Sequence, residues 1–152
     1  MTTSERTKAL GRWGELKAMA LLRSANFVNV RDLNTPTRNH QFGDVLAERD
    51  GVCYMIGVKT RNKFQESGPL NAQYNMRKPG VDVVAIADRY KAVPAWVTIQ
   101  VIAELQTFSA YFGTDLTKRN WISMHERRTR SYVCFASDEF DETIRPEWTN
   151  RR

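Results

Sequence analysis

Asp50-Gly51, set between the apolar runs DVLAER (44–49) and VCYMIGVKT (52–60), constrains this chain's fold more than any other feature. A two-residue type I′ turn needs positive φ at both central residues, and Asp-Gly tolerates that well, so the segment predicts a β-hairpin. The turn length sets the register: Arg49 faces Val52, Leu46 faces Met55, and Asp44 faces Gly57. Side chains alternate along a strand, so Lys59 and Arg61 share the face of position 57 while Ile56, Val58 and Thr60 point into a core. An aspartate and a lysine therefore meet near an open strand end.

Upstream, the sequence predicts a helix from about Ser4 to Asn26, opened by a Thr2/Glu5 capping box and stopped at Asn26. Gly11 and Gly14 weaken its first half by about 1 kcal/mol each. Glu15 lies on the same face as Ala18, Met19 and Leu22, and a carboxylate on an apolar face needs an explanation. FVNVR (27–31) reads as a strand and DLNTPTRNHQ as a polar loop. Residues 62–80 read as a loop with a short helix around Asn71 to Arg77. Four more strands are expected at VDVVAIA (81–87), AWVTIQVI (95–102), FSAYFG (108–113) and SYVCFA (131–136). The pattern is α+β: one long helix, then a largely antiparallel sheet.

A chain of 152 residues without an evident linker is expected to form one domain, 1–152. With 41% hydrophobic and 26% charged residues it has an ordinary globular composition. No apolar run approaches the roughly 18 residues of a membrane span, and the N-terminus lacks a signal-peptide core, so no membrane partner and a cytoplasmic location are expected. Cys53 and Cys134 lie in apolar strand-like runs, where buried free thiols are expected. His125 does not complete a zinc-binding HExxH, because Thr129 stands where the second histidine belongs.

The formal charge is +6, yet residues 138–147 hold five acids against one arginine, which leaves +10 on the rest. Such a basic body suits a polyanion, since each Lys or Arg near a phosphate releases counterions; a solvated basic surface is the other reading. Arg61, Lys63, Arg77 and Lys78 follow the hairpin, and Arg127, Arg128 and Arg130 follow Trp121. Together they would line a cleft for nucleic acid, with Trp121 or Tyr74 stacking on bases and Trp13 and Trp96 in the core. No helix-turn-helix or zinc-finger pattern supports sequence-specific reading.

Two readings of the hairpin pair stay open. In one, Asp44 and a backbone carbonyl such as that of Val58 hold Mg²⁺ or Mn²⁺ for phosphodiester hydrolysis, and Lys59 orients the attacking water. In the other, Asp44 and Lys59 form a cross-strand ion pair of little energetic value.

GELKAMALL (14–22), FGD (42–44) and IGVKTR (56–61) together resemble the PD-(D/E)xK nuclease superfamily, the restriction-endonuclease-like fold. The likeness is greatest to its small branch of Holliday-junction resolvases and resolvase-like bacterial proteins. The resemblance implies an N-terminal helix packed on a mixed, largely antiparallel sheet, with VDVVAIA as its next strand. It implies a Mg²⁺- or Mn²⁺-dependent endonuclease acting on DNA, with Glu15 and Asp44 at the metal and Lys59 as the catalytic lysine. It also implies a homodimer, for which FSAYFG would offer an edge strand. The family's second acid would stand two residues before the lysine, where this chain has Gly57, so weaker metal binding is expected. The alternative is an inactive nuclease-fold domain that binds nucleic acid or a partner protein. Glu48 is a poor replacement, about 13 Å along the strand from Asp44, whereas Glu66 would have to fold back from a loop.

Overall fold

The protein is described from a computed structural model covering residues 2–34, 43–76, 80–116, 121–124 and 133–139. Helix α1 spans Thr3–Ser24. Its first turn is closed by the capping box: the Thr2 hydroxyl accepts from the Glu5 N–H at 3.1 Å, and the Glu5 carboxylate accepts from the Thr2 N–H at 2.7 Å. The chain leaves the helix through Asn26 in the left-handed region, φ 68°, a conformation asparagine tolerates better than most residues.

Strands β1 (Val28–Asp32), β2 (Val45–Arg49) and β3 (Val52–Asn62) follow. The hairpin turn has φ of 51° at Asp50 and 78° at Gly51, and its ladder pairs Arg49 with Val52, Leu46 with Met55 and Val45 with Ile56. This is the register expected of a two-residue primed turn. After β3 come a short β4 (Gln73–Asn75), helix α2 (Val83–Asp88), β5 (Val93–Ile102), a 3₁₀ turn at Ala103–Leu105, β6 (Thr107–Gly113), β7 (Trp121–Ser123) and β8 (Val133–Glu139).

Six strands form one mixed sheet in the order β1-β2-β3-β5-β6-β8, and β4 pairs separately with β7. The β3–β5 pair is parallel and the other ladders are antiparallel. A parallel pair requires a crossover, and the segment holding β4 and α2 supplies it. That requirement overturns the strand expected at VDVVAIA. Asp82 caps a helix there by accepting from the Ala85 N–H at 3.0 Å, and Val83, Ile86 and Ala87 bury the i, i+3, i+4 face. The helix expected around Asn71 to Arg77 is instead β4, at least through Asn75, because Gln73, Tyr74 and Asn75 pair with Ser123, Ile122 and Trp121.

The sheet is covered on both faces. Trp13, Ala18, Met19 and Leu22 of α1 pack on Val45, Ile56, Val97 and Ile99; Ile86 and Ala87 of α2, with Tyr74 and Ile122, pack on Leu46, Met55 and Trp96. Central β5 is accordingly buried from Ala95 through Val101. FSAYFG is no edge strand: β6 lies between β5 and β8. Both cysteines are free, but Cys53 is half-buried and Cys134, on the outermost strand, is exposed. No helix among the described residues is long and apolar enough to cross a membrane.

Gly14 has a use that helix propensity hides. A Cβ there would overlap the Thr60 hydroxyl and lie 2.7 Å from the Thr60 Cβ, so the missing side chain is what lets α1 lie against β3 next to Glu15. Propensity alone would make Gly14→Ala stabilising by up to about 1 kcal/mol. Overpacking against a strand reverses the sign, and urea unfolding is expected to show a net loss of about 1–3 kcal/mol.

Candidate functional site

The site forms where β2 and β3 begin to separate. One step beyond the Val45–Ile56 pair, the Asp44 N–H still donates to the Ile56 carbonyl at 2.8 Å. The next donor, the Val58 N–H, goes instead to the Asp44 carboxylate at 2.7 Å. A side chain has replaced a backbone acceptor, and it is thereby held rigidly at the strand end. In an antiparallel pair the N–H and C=O of one residue serve the same partner strand, so the Val58 carbonyl faces the same gap.

Glu15 arrives from α1. Packing of its neighbours Gly14, Ala18 and Met19 against the sheet leaves its side chain 18% exposed at the rim. The two carboxylates meet through a residue that the sequence reading passed over. The Asn34 amide Nδ2 donates to Asp44 Oδ1 at 2.7 Å and to Glu15 Oε2 at 3.2 Å. Arg12, one turn before Glu15, donates to Glu15 Oε1 at 3.0 Å and to Asp32 Oδ2 at 2.6 Å. Asp32 Oδ1 in turn accepts from the Asn34 N–H at 3.0 Å. Three carboxylates, one guanidinium and one amide thus form a connected cluster.

Its electrostatics are unbalanced. Burial pushes the Asp44 carboxyl up to about 6, against the hydrogen bonds from Val58 and Asn34 that favour the anion, and the charges of Glu15 and Asp32 push it further. Asp32 also loses solvent, but hydrogen bonds from Arg12 and Asn34 outweigh that and hold it below the usual carboxylate range. Hydrogen bonds to Asp32 and Glu15 raise Arg12 in return.

Lys59 lies on β3, two residues past Gly57 and on its face of the sheet, half-buried. Among the described residues it makes no ion pair or hydrogen bond, and Asp44 is satisfied by Val58 and Asn34 instead. The cross-strand Asp44–Lys59 ion pair is therefore not formed, and Lys59 keeps an uncommitted ammonium. Gly57 is buried beside the buried Trp96 of β5, and its φ is not among the positive ones, so backbone conformation does not require glycine there. No acid replaces it from the places weighed earlier. Glu48 accepts from Asn29 at the far end of β2, and Glu66 is exposed in the loop after β3.

Among the described residues no group of three or more His, Cys, Asp and Glu side chains is arranged to hold a metal ion. Two carboxylates and a backbone carbonyl nevertheless suit Mg²⁺, which keeps several waters and takes one or two carboxylates rather than a full protein cage.

The basic residues divide. Arg61 is tied to the Gln73 carbonyl at 3.1 Å, and the Lys63 ammonium lies 5.6 Å over the Phe64 ring. Arg77, Lys78, Arg127, Arg128 and Arg130 fall outside the described residues. Tyr74 is fully buried and unable to stack on a base, whereas Trp121 is only half-buried; Trp13 and Trp96 lie in the core as expected.

Asn34, Asp32 and Arg12 had weak signals in the sequence: an arginine one turn before the helix glutamate, and an Asp-x-Asn spacing that favours an Asx turn.

No protein-family model matches the chain, and no curated protein sequence does. Among solved structures it is similar to Hjc, a Holliday junction resolvase from the archaeal hyperthermophile Archaeoglobus fulgidus, at 17% identity and a TM-score of 0.57. The match covers 83% of this chain and 97% of the resolvase. The chain therefore has the restriction-endonuclease-like fold, and its structural neighbour is a member of the PD-(D/E)xK nuclease superfamily.

Proposed function

We propose that this protein is a Mg²⁺- or Mn²⁺-dependent nuclease that hydrolyses phosphodiester bonds in DNA, with the whole chain acting as one nuclease-like domain. The observation that supports it best is the meeting of Glu15 and Asp44 on a single amide, from positions 29 residues apart, at the edge of β3, the strand that carries Lys59. An isolated hairpin ion pair would leave that convergence unexplained.

In this reading Asp44, Glu15 and the Val58 carbonyl hold the cation, and a bound cation would polarise the phosphate and lower the pKa of water. Asp44 is fixed by the Val58 N–H, so it needs no reordering to act. Lys59 offers an ammonium near the developing charge and orients the attacking water. The basic residues Arg61, Lys63, Arg77, Lys78, Arg127, Arg128 and Arg130 hold the backbone of the substrate. The resolvase neighbour makes branched DNA the substrate to try first, and makes a homodimer the expected assembly. Such a substrate fits a cytoplasmic protein.

Gly57 favours a second reading, in which the fold binds nucleic acid or a partner protein without cutting. Cleavage of four-way and duplex DNA with Mn²⁺, Mg²⁺ or EDTA separates the two. The nuclease reading expects metal-dependent products that disappear in Asp44→Ala. Salt-sensitive binding that ignores both EDTA and Asp44→Ala, without products, would favour the binding module.

A further inference from the structure

With glycine at 57, the cation site proposed above is one oxygen group short, and a different residue stands in the gap. We infer that Asn34 takes the part of the absent acid as the third side chain of the cation site, positioned there by Arg12 through Asp32. This rests on reading Glu15 and Asp44 as cation ligands.

Three observations carry it. The Asn34 amide nitrogen lies 2.7 Å from Asp44 and 3.2 Å from Glu15, close to the roughly 3 Å that separates neighbouring oxygens around one octahedral Mg²⁺ with bonds of about 2.1 Å. Its backbone is anchored where the chain enters it: the Leu33 N–H donates to the Asp44 carbonyl at 2.9 Å, and the Asn34 N–H donates to Asp32 at 3.0 Å. Asp32 is fixed in turn by Arg12, whose other nitrogen holds Glu15. The amide is therefore aimed by a closed ring of contacts through Glu15, Arg12 and Asp32.

A carboxamide can serve such a site in two states. Without a cation its NH₂ end faces the two carboxylates and offsets their repulsion. With a cation, a half-turn about χ2 presents Oδ1, an oxygen donor of the kind Mg²⁺ and Mn²⁺ accept. A carboxylate at position 34 could do only the second, and would leave a third acid unshielded when the cation is absent. The opposite outcome, Asn34 as a plug that a cation must displace, is what the experiment has to separate from this role.

Affinity for Mn²⁺, read from the spin-resonance signal of the free ion, tells them apart in the wild type, Asn34→Ala, Asn34→Asp and Asp44→Ala. The expected result is roughly ten- to hundredfold weaker binding in Asn34→Ala, with Asn34→Asp at or above wild type. Titration with Mg²⁺ should also shift the Asn34 side-chain NH₂ resonances of the wild type. If Asn34→Ala binds Mn²⁺ as tightly as wild type or more tightly, while Asp44→Ala has lost it, Asn34 is no ligand and the cation site itself stands. Should the wild type bind no Mn²⁺, both readings fail. Where Asn34→Ala does not fold, the resonances decide, and Asn34 signals unmoved at Mg²⁺ saturation overturn the inference.

Discussion

Lys59→Ala is expected to slow cleavage by a factor of roughly 10²–10³ or more, the usual loss when one preorganised group facing transition-state charge is removed, while Mn²⁺ affinity stays the same or rises slightly. The split follows from the geometry. Lys59 shares a sheet face with position 57 but contributes to none of the hydrogen bonds that hold Asp44, so its removal leaves the carboxylate cluster intact. Taking away a nearby positive charge can only help a cation bind. Lys59→Arg should not restore the rate, because a guanidinium stays protonated and has a different shape. Single-turnover cleavage beside metal titration checks both halves. A loss of cation binding in Lys59→Ala would mean that the lysine holds the fold of the site and does no chemistry.

Asp44→Asn is expected to make the metal-free protein more stable at neutral pH, by on the order of 2–3 kcal/mol. That magnitude follows from a carboxyl whose ordinary value of 3.8 is pushed up to about 6 by burial, at 1.36 kcal/mol per pH unit. Because the folded form holds its proton more tightly than the unfolded form, the fold loses stability as pH rises through this window. The loss begins near the unfolded value, is complete just above 6, and stays constant beyond. The asparagine variant carries no such penalty, so the gap between the two proteins should be small near pH 4 and full by about pH 7. Differencing the two proteins cancels Asp32, whose depressed value acts in the opposite direction. Urea unfolding in EDTA across that range gives the gap, and saturating Mn²⁺ should close or reverse it by stabilising only the wild type.

Elements with strong local signals were legible in the sequence. The Asp50-Gly51 turn set the register that pairs Arg49 with Val52 and Val45 with Ile56, one residue short of Asp44, and Thr2 with Glu5 marked the start of α1. Glu15 stood out in the sequence as a carboxylate on an apolar helix face, and in the structure it shares the Asn34 amide with Asp44. What escaped depended on pairing between distant segments. Parallel β3 and β5 leave no local trace, so the Val- and Ala-rich crossover at 83–88 read as another strand although Asp82 was in place to cap a helix. Gly14 read as a weak helix position because its contact with Thr60 lies on another element. Asn34 was hidden in a polar loop, where no periodicity separates a positioned side chain from a solvated one, and its placement depends on three partners between 2 and 19 residues away in sequence.

Titration calorimetry of the full chain with Mn²⁺ at near-neutral pH, wild type beside Asp44→Ala, tests most directly whether this fold retains a cation site without an acid at position 57. Saturable binding by the wild type that Asp44→Ala abolishes is the predicted result. Absence of binding in the wild type, or equal binding in both proteins, would contradict the account and leave a nuclease fold that holds its target without cutting it.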